Sequence, residues 1–136
     1  MPDDFSNATS ERIGMKVLIV DDHPGVRTLI REMVTVIASD VRECADGAEA
    51  VRTFPEFAPD VVIMDLQMPR LDGFEATRQI LAESPRARVI AISQLKHPHT
   101  ATWAREAGAC HFIQKDNLSE LVPYLKMQAA LGPDQI

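Results

Sequence analysis

Val61-Val62-Ile63-Met64-Asp65 is the stretch that decides the fold. Four apolar residues in a row lack the every-second-residue alternation of a strand with one wet face. Both faces must therefore be covered, as in a parallel sheet. The run ends on a carboxylate. Upstream, Val17-Leu18-Ile19-Val20 repeats the pattern and runs into Asp21-Asp22. Downstream, Val89-Ile90-Ala91-Ile92 repeats it and runs into Ser93. Val41 to Ala45 and Cys110 to Gln114 are weaker strand candidates, and the second of them runs into Lys115.

Helical stretches fill the gaps. Val26, Leu29, Ile30, Met33, Val34 and Ile37 form one stripe of a helix. Pro24 sits near its start, where a missing N–H costs little. Asp46 can cap a second helix with Ala50, Val51 and Phe54 facing inward, its end limited by Pro55 and Pro59. Gly73 to Ser84 reads as a third, and Thr100 to Ala107 as a fourth that Gly108 ends. The fifth starts at Asn117 or Ser119 and runs toward Leu131. Pro123 inside it requires either a late start or a kink. Strand and helix alternate five times, which predicts an α/β fold: a five-stranded parallel sheet, doubly wound by helices.

The 136 residues suit one domain. Residues Met1 to Gly14 are mostly polar, with Phe5 and Ile13 the sizeable apolar side chains, and read as a mobile leader. The domain itself spans 15–131, and 132–136 form a tail. A net charge of −6 argues against nucleic-acid binding by this chain alone. No apolar run approaches the roughly 18 residues of a membrane helix, and no signal peptide is visible. The expected compartment is the cytoplasm. Cys44 and Cys110 lack metal-type spacing and read as reduced thiols.

In a parallel sheet the polar strand ends line one edge, where open α/β sheets bind ligands. A lone aspartate, serine or lysine there is usually a turn or cap residue. Four strand ends that each carry a complementary group are a different matter. Carboxylates about 5 Å apart at an effective dielectric near 20 repel by roughly 3 kcal/mol per pair. A hard divalent ion such as Mg2+ would offset this, with Lys115 as a fixed positive charge and Ser93 as a hydroxyl donor. Such a set suits a transferring phosphoryl group, whose catalysis is mostly positioning and charge neutralisation.

Val20-Asp21-Asp22, Met64-Asp65-Leu66-Gln67-Met68-Pro69 with Asp72-Gly73, Ile92-Ser93 and Phe112-Ile113-Gln114-Lys115 together resemble the receiver domain of two-component response regulators. The resemblance covers residues 16 to about 131. It implies a flavodoxin-like (βα)5 fold with strand order 2-1-3-4-5. It implies phosphorylation of Asp65 by a histidine kinase or a histidine phosphotransfer protein. Asp22 would ligate Mg2+ directly, Asp21 mainly through water, and the Gln67 carbonyl would be a further ligand. Lys115 and Ser93 would each hold a phosphoryl oxygen, and Phe112 would be the aromatic switch residue. Output would pass to a downstream protein through the face of the fourth helix, fifth strand and fifth helix, and homodimerisation is a further option. Trp103 on the fourth helix is a candidate anchor for that partner.

There are departures from the family pattern. Asp116 follows the lysine where many receivers have a cis-proline, so that bond should be trans. Gln94 is large where a small residue is common. His23 after the acid pair resembles receivers joined to helix-turn-helix output domains. The expected function is thus a single-domain phosphorelay switch, not an enzyme. The alternative is the receiver half of a helix-turn-helix transcriptional regulator. An aspartate-dependent phosphatase would need an acid where Gln67 stands. A mononucleotide-binding module would need a phosphate loop where Asp21-Asp22 stands. His97 and His99 flank Pro98 in a loop and read as solvated.

Overall fold

In the computed structural model, which describes residues 14–131, five strands and five helices alternate. The strands are β1 (Met15–Val20), β2 (Ala38–Cys44), β3 (Val61–Asp65), β4 (Val89–Ser93) and β5 (His111–Gln114). The helices are α1 (Pro24–Val34), α2 (Gly47–Phe57), α3 (Gly73–Glu83), α4 (Thr100–Ala107) and α5 (Leu121–Leu131). The strands form one sheet in the order β2-β1-β3-β4-β5, and every pair is parallel. This is the flavodoxin-like order expected from the sequence. The leader reading covers 1–14, of which only Gly14 is described, and the tail reading, 132–136, lies outside the described residues.

Both sheet faces are covered, which explains the unbroken apolar runs. Val17, Ile19, Ile63, Ile90, Ile92 and Ile113 point to one side, against Ile30 and Val34 of α1 and Leu121 and Leu125 of α5. Leu18, Val20, Val62, Met64 and Val89 point to the other, against Ala50 and Phe57 of α2 and Ala76 and Ile80 of α3. A smaller cluster of Leu66, Ala91, Ala104 and Ala109 seats α4, with Phe74 and Phe112 packed against it. Each fully buried Val or Ile contributes about 1.5–3 kcal/mol.

The boundaries that differ most from the sequence reading do so for local reasons. The α1 stripe stops at Val34; Ile37 still reaches the core, fully buried, through the turn in which its amide donates to the Val34 carbonyl at 3.0 Å. Leu29 from the same stripe is exposed instead, because the buried side of α1 is narrower than the apolar stripe. Strand β2 starts at Ala38, three residues early, since an edge strand accepts exposed Ser39 and Asp40. Helix α2 runs through Pro55 to Phe57, where burial of the Phe57 ring offsets the lost backbone bond on an exposed turn. The last helix starts late: a 3-10 turn spans Lys115–Glu120, and α5 begins at Leu121. Pro123 thereby falls in the first turn of α5, where an N–H would lack an intrahelical partner anyway.

The connection after β3 is tightly built. Asp72 caps α3 by accepting a hydrogen bond from the Glu75 amide at 2.9 Å. A Cβ on Gly73 would lie 2.1 Å from the Asp65 carbonyl oxygen and 2.7 Å from the Leu66 Cα. Only glycine lets α3 start this close to the end of β3.

Candidate functional site at the carboxyl edge of the sheet

The strand order reverses between β1 and β3, so the residues that follow these two strands face a common crevice. Asp21 and Asp22 follow β1, and Asp65 closes β3. Asp21 is fully buried and Asp65 is 1% exposed. One carboxylate oxygen each from Asp21, Asp22 and Asp65, together with the ring nitrogen of His23, lie within 4.8 Å of one another.

Lys115 enters from the end of β5. Its side chain is buried, with Nζ 2.8 Å from Asp21 Oδ2 and 3.4 Å from Asp65 Oδ1. The amide of Gln67 donates to Asp65 Oδ1 at 3.1 Å. The other oxygen, Asp65 Oδ2, is buried with no hydrogen-bond partner. Burial, and then the neighbouring charge of Asp21, push the Asp65 carboxyl up to about 6, against the opposing pull of the Gln67 amide and Lys115. One lysine does not balance three carboxylates, so this edge is short of positive charge.

Ser93 ends β4 and is fully buried. Its hydroxyl accepts from the Leu95 amide at 2.9 Å and stands 3.5 Å from Gln67 Oε1. Phe112 is partly buried, packed on the side of the Ala104 and Ala109 cluster. Gln94 is exposed and, with Lys96, Gln114, Lys115 and Asp116, lines a cavity of about 360 Å³ beside the lysine. The Lys115–Asp116 bond is trans, as expected, since among the described residues no peptide bond is cis.

The sequence reading missed two residues that shape this edge. His23 was placed only as a family hint, yet its Nδ1 lies 3.2 Å from both Asp21 Oδ1 and Asp22 Oδ1. Arg27, one helical turn later, donates to the Asp21 carbonyl at 2.6 Å and to Glu43 of β2 at 3.0 Å. Arg31 binds the second Glu43 oxygen, and the two guanidiniums hold that carboxyl below its usual range. The i+4 spacing of His23 and Arg27 is the signal that would have placed both on the turn beside the acid pair.

In the loop after β4, His97 and His99 are exposed, as expected, and both touch Trp103. The His97 ring stacks on Trp103 with centroids 4.7 Å apart, and His99 accompanies them at 5.9 Å from Trp103. Trp103 is 41% exposed, and Leu95 in the preceding loop is also exposed. Among the described residues no helix is long and apolar enough to cross a membrane.

Comparison with known proteins agrees with this arrangement. The response regulator receiver domain profile matches residues 17–126. The chemotaxis protein CheY of Listeria monocytogenes is 40% identical over 102 residues, which is 74% of this chain and 86% of that protein. The crystal structure of a LuxR-family two-component response regulator from Aurantimonas superposes with a TM-score of 0.80 at 35% identity, covering 86% of each chain. The receiver domain of the histidine kinase CKI1 from Arabidopsis thaliana, solved in complex with Mg2+, superposes with a TM-score of 0.72 at 28% identity, covering 86% of this chain and 94% of that one.

Proposed function

Because the chain belongs to the response regulator receiver domains, we propose that it is a phosphorelay switch whose phosphoacceptor is Asp65. The observation that carries this is the buried, unpartnered Asp65 Oδ2 beside Lys115, at an edge crowded with acids. In the transfer, the N–P bond of a phosphohistidine breaks as an Asp65 oxygen bonds to phosphorus. The imidazole leaves and takes a proton from solvent. The donor is a histidine kinase or a histidine phosphotransfer protein.

The donor set fits Mg2+: hard oxygens, an orphaned buried acceptor and excess negative charge. Asp21, Asp22, Asp65 and the Gln67 carbonyl would hold it. When bound, the ion neutralises charge on the carboxylates and on the transferring group. The chain's own residues do the rest. The Gln67 amide fixes the rotamer of Asp65 through Oδ1, which leaves Oδ2 as the attacking oxygen. Lys115 already lies against Oδ1, near enough to take up a phosphoryl oxygen by a short shift. Arg27 pins the Asp21 backbone and so limits how far the acid pair can spread.

Output follows from Ser93. Its hydroxyl is engaged with the Leu95 amide, and turning it to a phosphoryl oxygen must pull the loop 94–99 inward. That movement opens space for the Phe112 ring, which its present packing leaves partly exposed. The face altered is α4-β5-α5, with Trp103 and Leu95 the apolar side chains a downstream protein would cover. The likeness to a LuxR-family regulator favours a second reading of the output, in which the chain is the receiver half of a transcriptional regulator.

Beryllofluoride with Mg2+ stands in for the phosphoryl group on Asp65 and tests this coupling. Amide NMR shifts should spread from Asp65 through Ser93 to residues 94–107 and Phe112. In Ser93→Ala they should stay near the acidic edge. Equal spread in both proteins, or purely local shifts in the wild type, would contradict the switch.

A further inference from the structure

His23 has no part in the phosphoryl chemistry just described, yet its ring stands in the same crevice. Its Nδ1 is 3.2 Å from Asp21 Oδ1 and 3.2 Å from Asp22 Oδ1. It shares the 4.8 Å cluster with one oxygen of each of the three aspartates. In an octahedral shell with bonds near 2.1 Å, adjacent ligand atoms are about 3.0 Å apart and opposite ones about 4.2 Å. The two 3.2 Å separations suit adjacent positions of such a shell, and the 4.8 Å spread of the whole cluster exceeds the opposite distance by about 0.6 Å. The buried, unpartnered Asp65 Oδ2 belongs to a residue of the same cluster and supplies an unsatisfied acceptor.

The backbone holds the ring there. His23 caps α1 in an extended conformation (φ −97°, ψ 112°), which the following Pro24 favours. Its amide donates to Asp21 Oδ1 at 2.8 Å, so the residue is tied to the acid it faces. The side chain is 58% exposed. In the metal-free protein Nδ1 donates to the Asp21 carboxylate at 3.2 Å; with a metal in that hydrogen's place, water can satisfy a proton on the exposed Nε2.

Imidazole discriminates between ions. Mg2+ prefers oxygen ligands and gains little from a ring nitrogen. Co2+, Ni2+ and Zn2+ accept imidazole readily. We infer that His23 is a metal ligand that selects among ions, so that the edge built from Asp21, Asp22, His23 and Asp65 also takes imidazole-binding divalent transition metals. The inference rests on the acidic edge being a divalent-cation site, as proposed above. Such an ion would compete with Mg2+ for the same carboxylates.

The test is titration of the full, untagged chain with Co2+, read by visible absorption, and with Mg2+ in a parallel NMR titration of the amides near Asp65. His23→Ala should weaken Co2+ binding by at least the ~10-fold that loss of even an outer-sphere partner costs. Its Mg2+ affinity should change by a clearly smaller factor than its Co2+ affinity, since a ring nitrogen is no ligand for Mg2+. The wild-type Co2+ spectrum should change on Mg2+ addition as the ions exchange. His97→Ala/His99→Ala should bind Co2+ like the wild type. Equal Co2+ affinity in wild type and His23→Ala would overturn the inference while leaving the Mg2+ site standing. So would loss of Co2+ binding only in the His97→Ala/His99→Ala protein. If the wild type bound neither ion at the acidic edge, the metal site of the proposed function would fall, and this inference with it.

Discussion

Asp65→Asn is expected to make the metal-free protein more stable at neutral pH, although it removes the residue on which the proposed function depends. Burial and the charge of Asp21 raise the Asp65 carboxyl from 3.8 to about 6. The sign follows from linkage: a carboxyl that binds its proton more tightly when folded favours the fold at low pH. That contribution is fully present below about pH 3.8 and is lost as pH rises through about 6. Above pH 7 the ionised, buried carboxylate therefore costs the fold up to about 3 kcal/mol relative to its protonated form. Asparagine keeps the shape and carries no charge. The stability difference between Asp65→Asn and wild type, measured by urea unfolding without metal, should be small near pH 4 and grow to a plateau near pH 7. Magnesium should narrow the gap by stabilising the wild type more than the variant. A difference that does not vary between pH 4 and 8 would mean that Asp65 is not strained by its charge.

Lys115→Ala should have the opposite effect on stability and the largest effect on chemistry short of removing the acceptor itself. The ammonium is buried between two buried carboxylates, 2.8 Å from one and 3.4 Å from the other. Removing one partner of a buried ion pair leaves uncompensated charge and typically costs about 3–5 kcal/mol. Here Asp65 can take a proton in response, so the loss should be greater at pH 8 than at pH 5. Phosphorylation from a small acyl phosphate donor should slow by roughly 10²–10³, the usual loss when one preorganised charge donor is removed from a transferring group. The two effects separate with magnesium: excess metal should recover part of the stability but not the rate. A rate within a few-fold of wild type in the folded variant would exclude Lys115 from the transfer.

The sequence exposed the fold most clearly where burial was two-sided. Val61–Met64, Val17–Val20 and Val89–Ile92 are apolar at every position because helices cover both faces of β3, β1 and β4. Their carboxyl ends then had to share an edge, which gathers Asp21, Asp65 and Ser93, with Lys115 added by the weaker run of β5. The edge elements were less legible. β2 carries Ser39, Asp40 and Arg42 on exposed positions, so its start cannot be seen in apolar spacing. Helix ends were hard for a related reason: Phe57 and Ile37 are held by tertiary burial that local propensity does not encode. The site residues missed, His23 and Arg27, act through a backbone carbonyl and a ring nitrogen. The His23 contact is local to the turn after β1, whereas that of Arg27 with Glu43 follows only once α1 is placed against β2. Trp103 was recognised as a candidate anchor, but its stacking on His97 depends on the fold of a six-residue loop and left no periodic trace.

The central claim is that Asp65, and no other carboxylate, takes the phosphoryl group. The most direct measurement is intact mass after incubation with acetyl phosphate and Mg2+. The wild type should gain one phosphoryl adduct that is lost under alkaline conditions, as an acyl phosphate is. Asp65→Ala, with Asp21, Asp22 and Lys115 unchanged, should show none. An adduct of undiminished yield on Asp65→Ala would contradict the account.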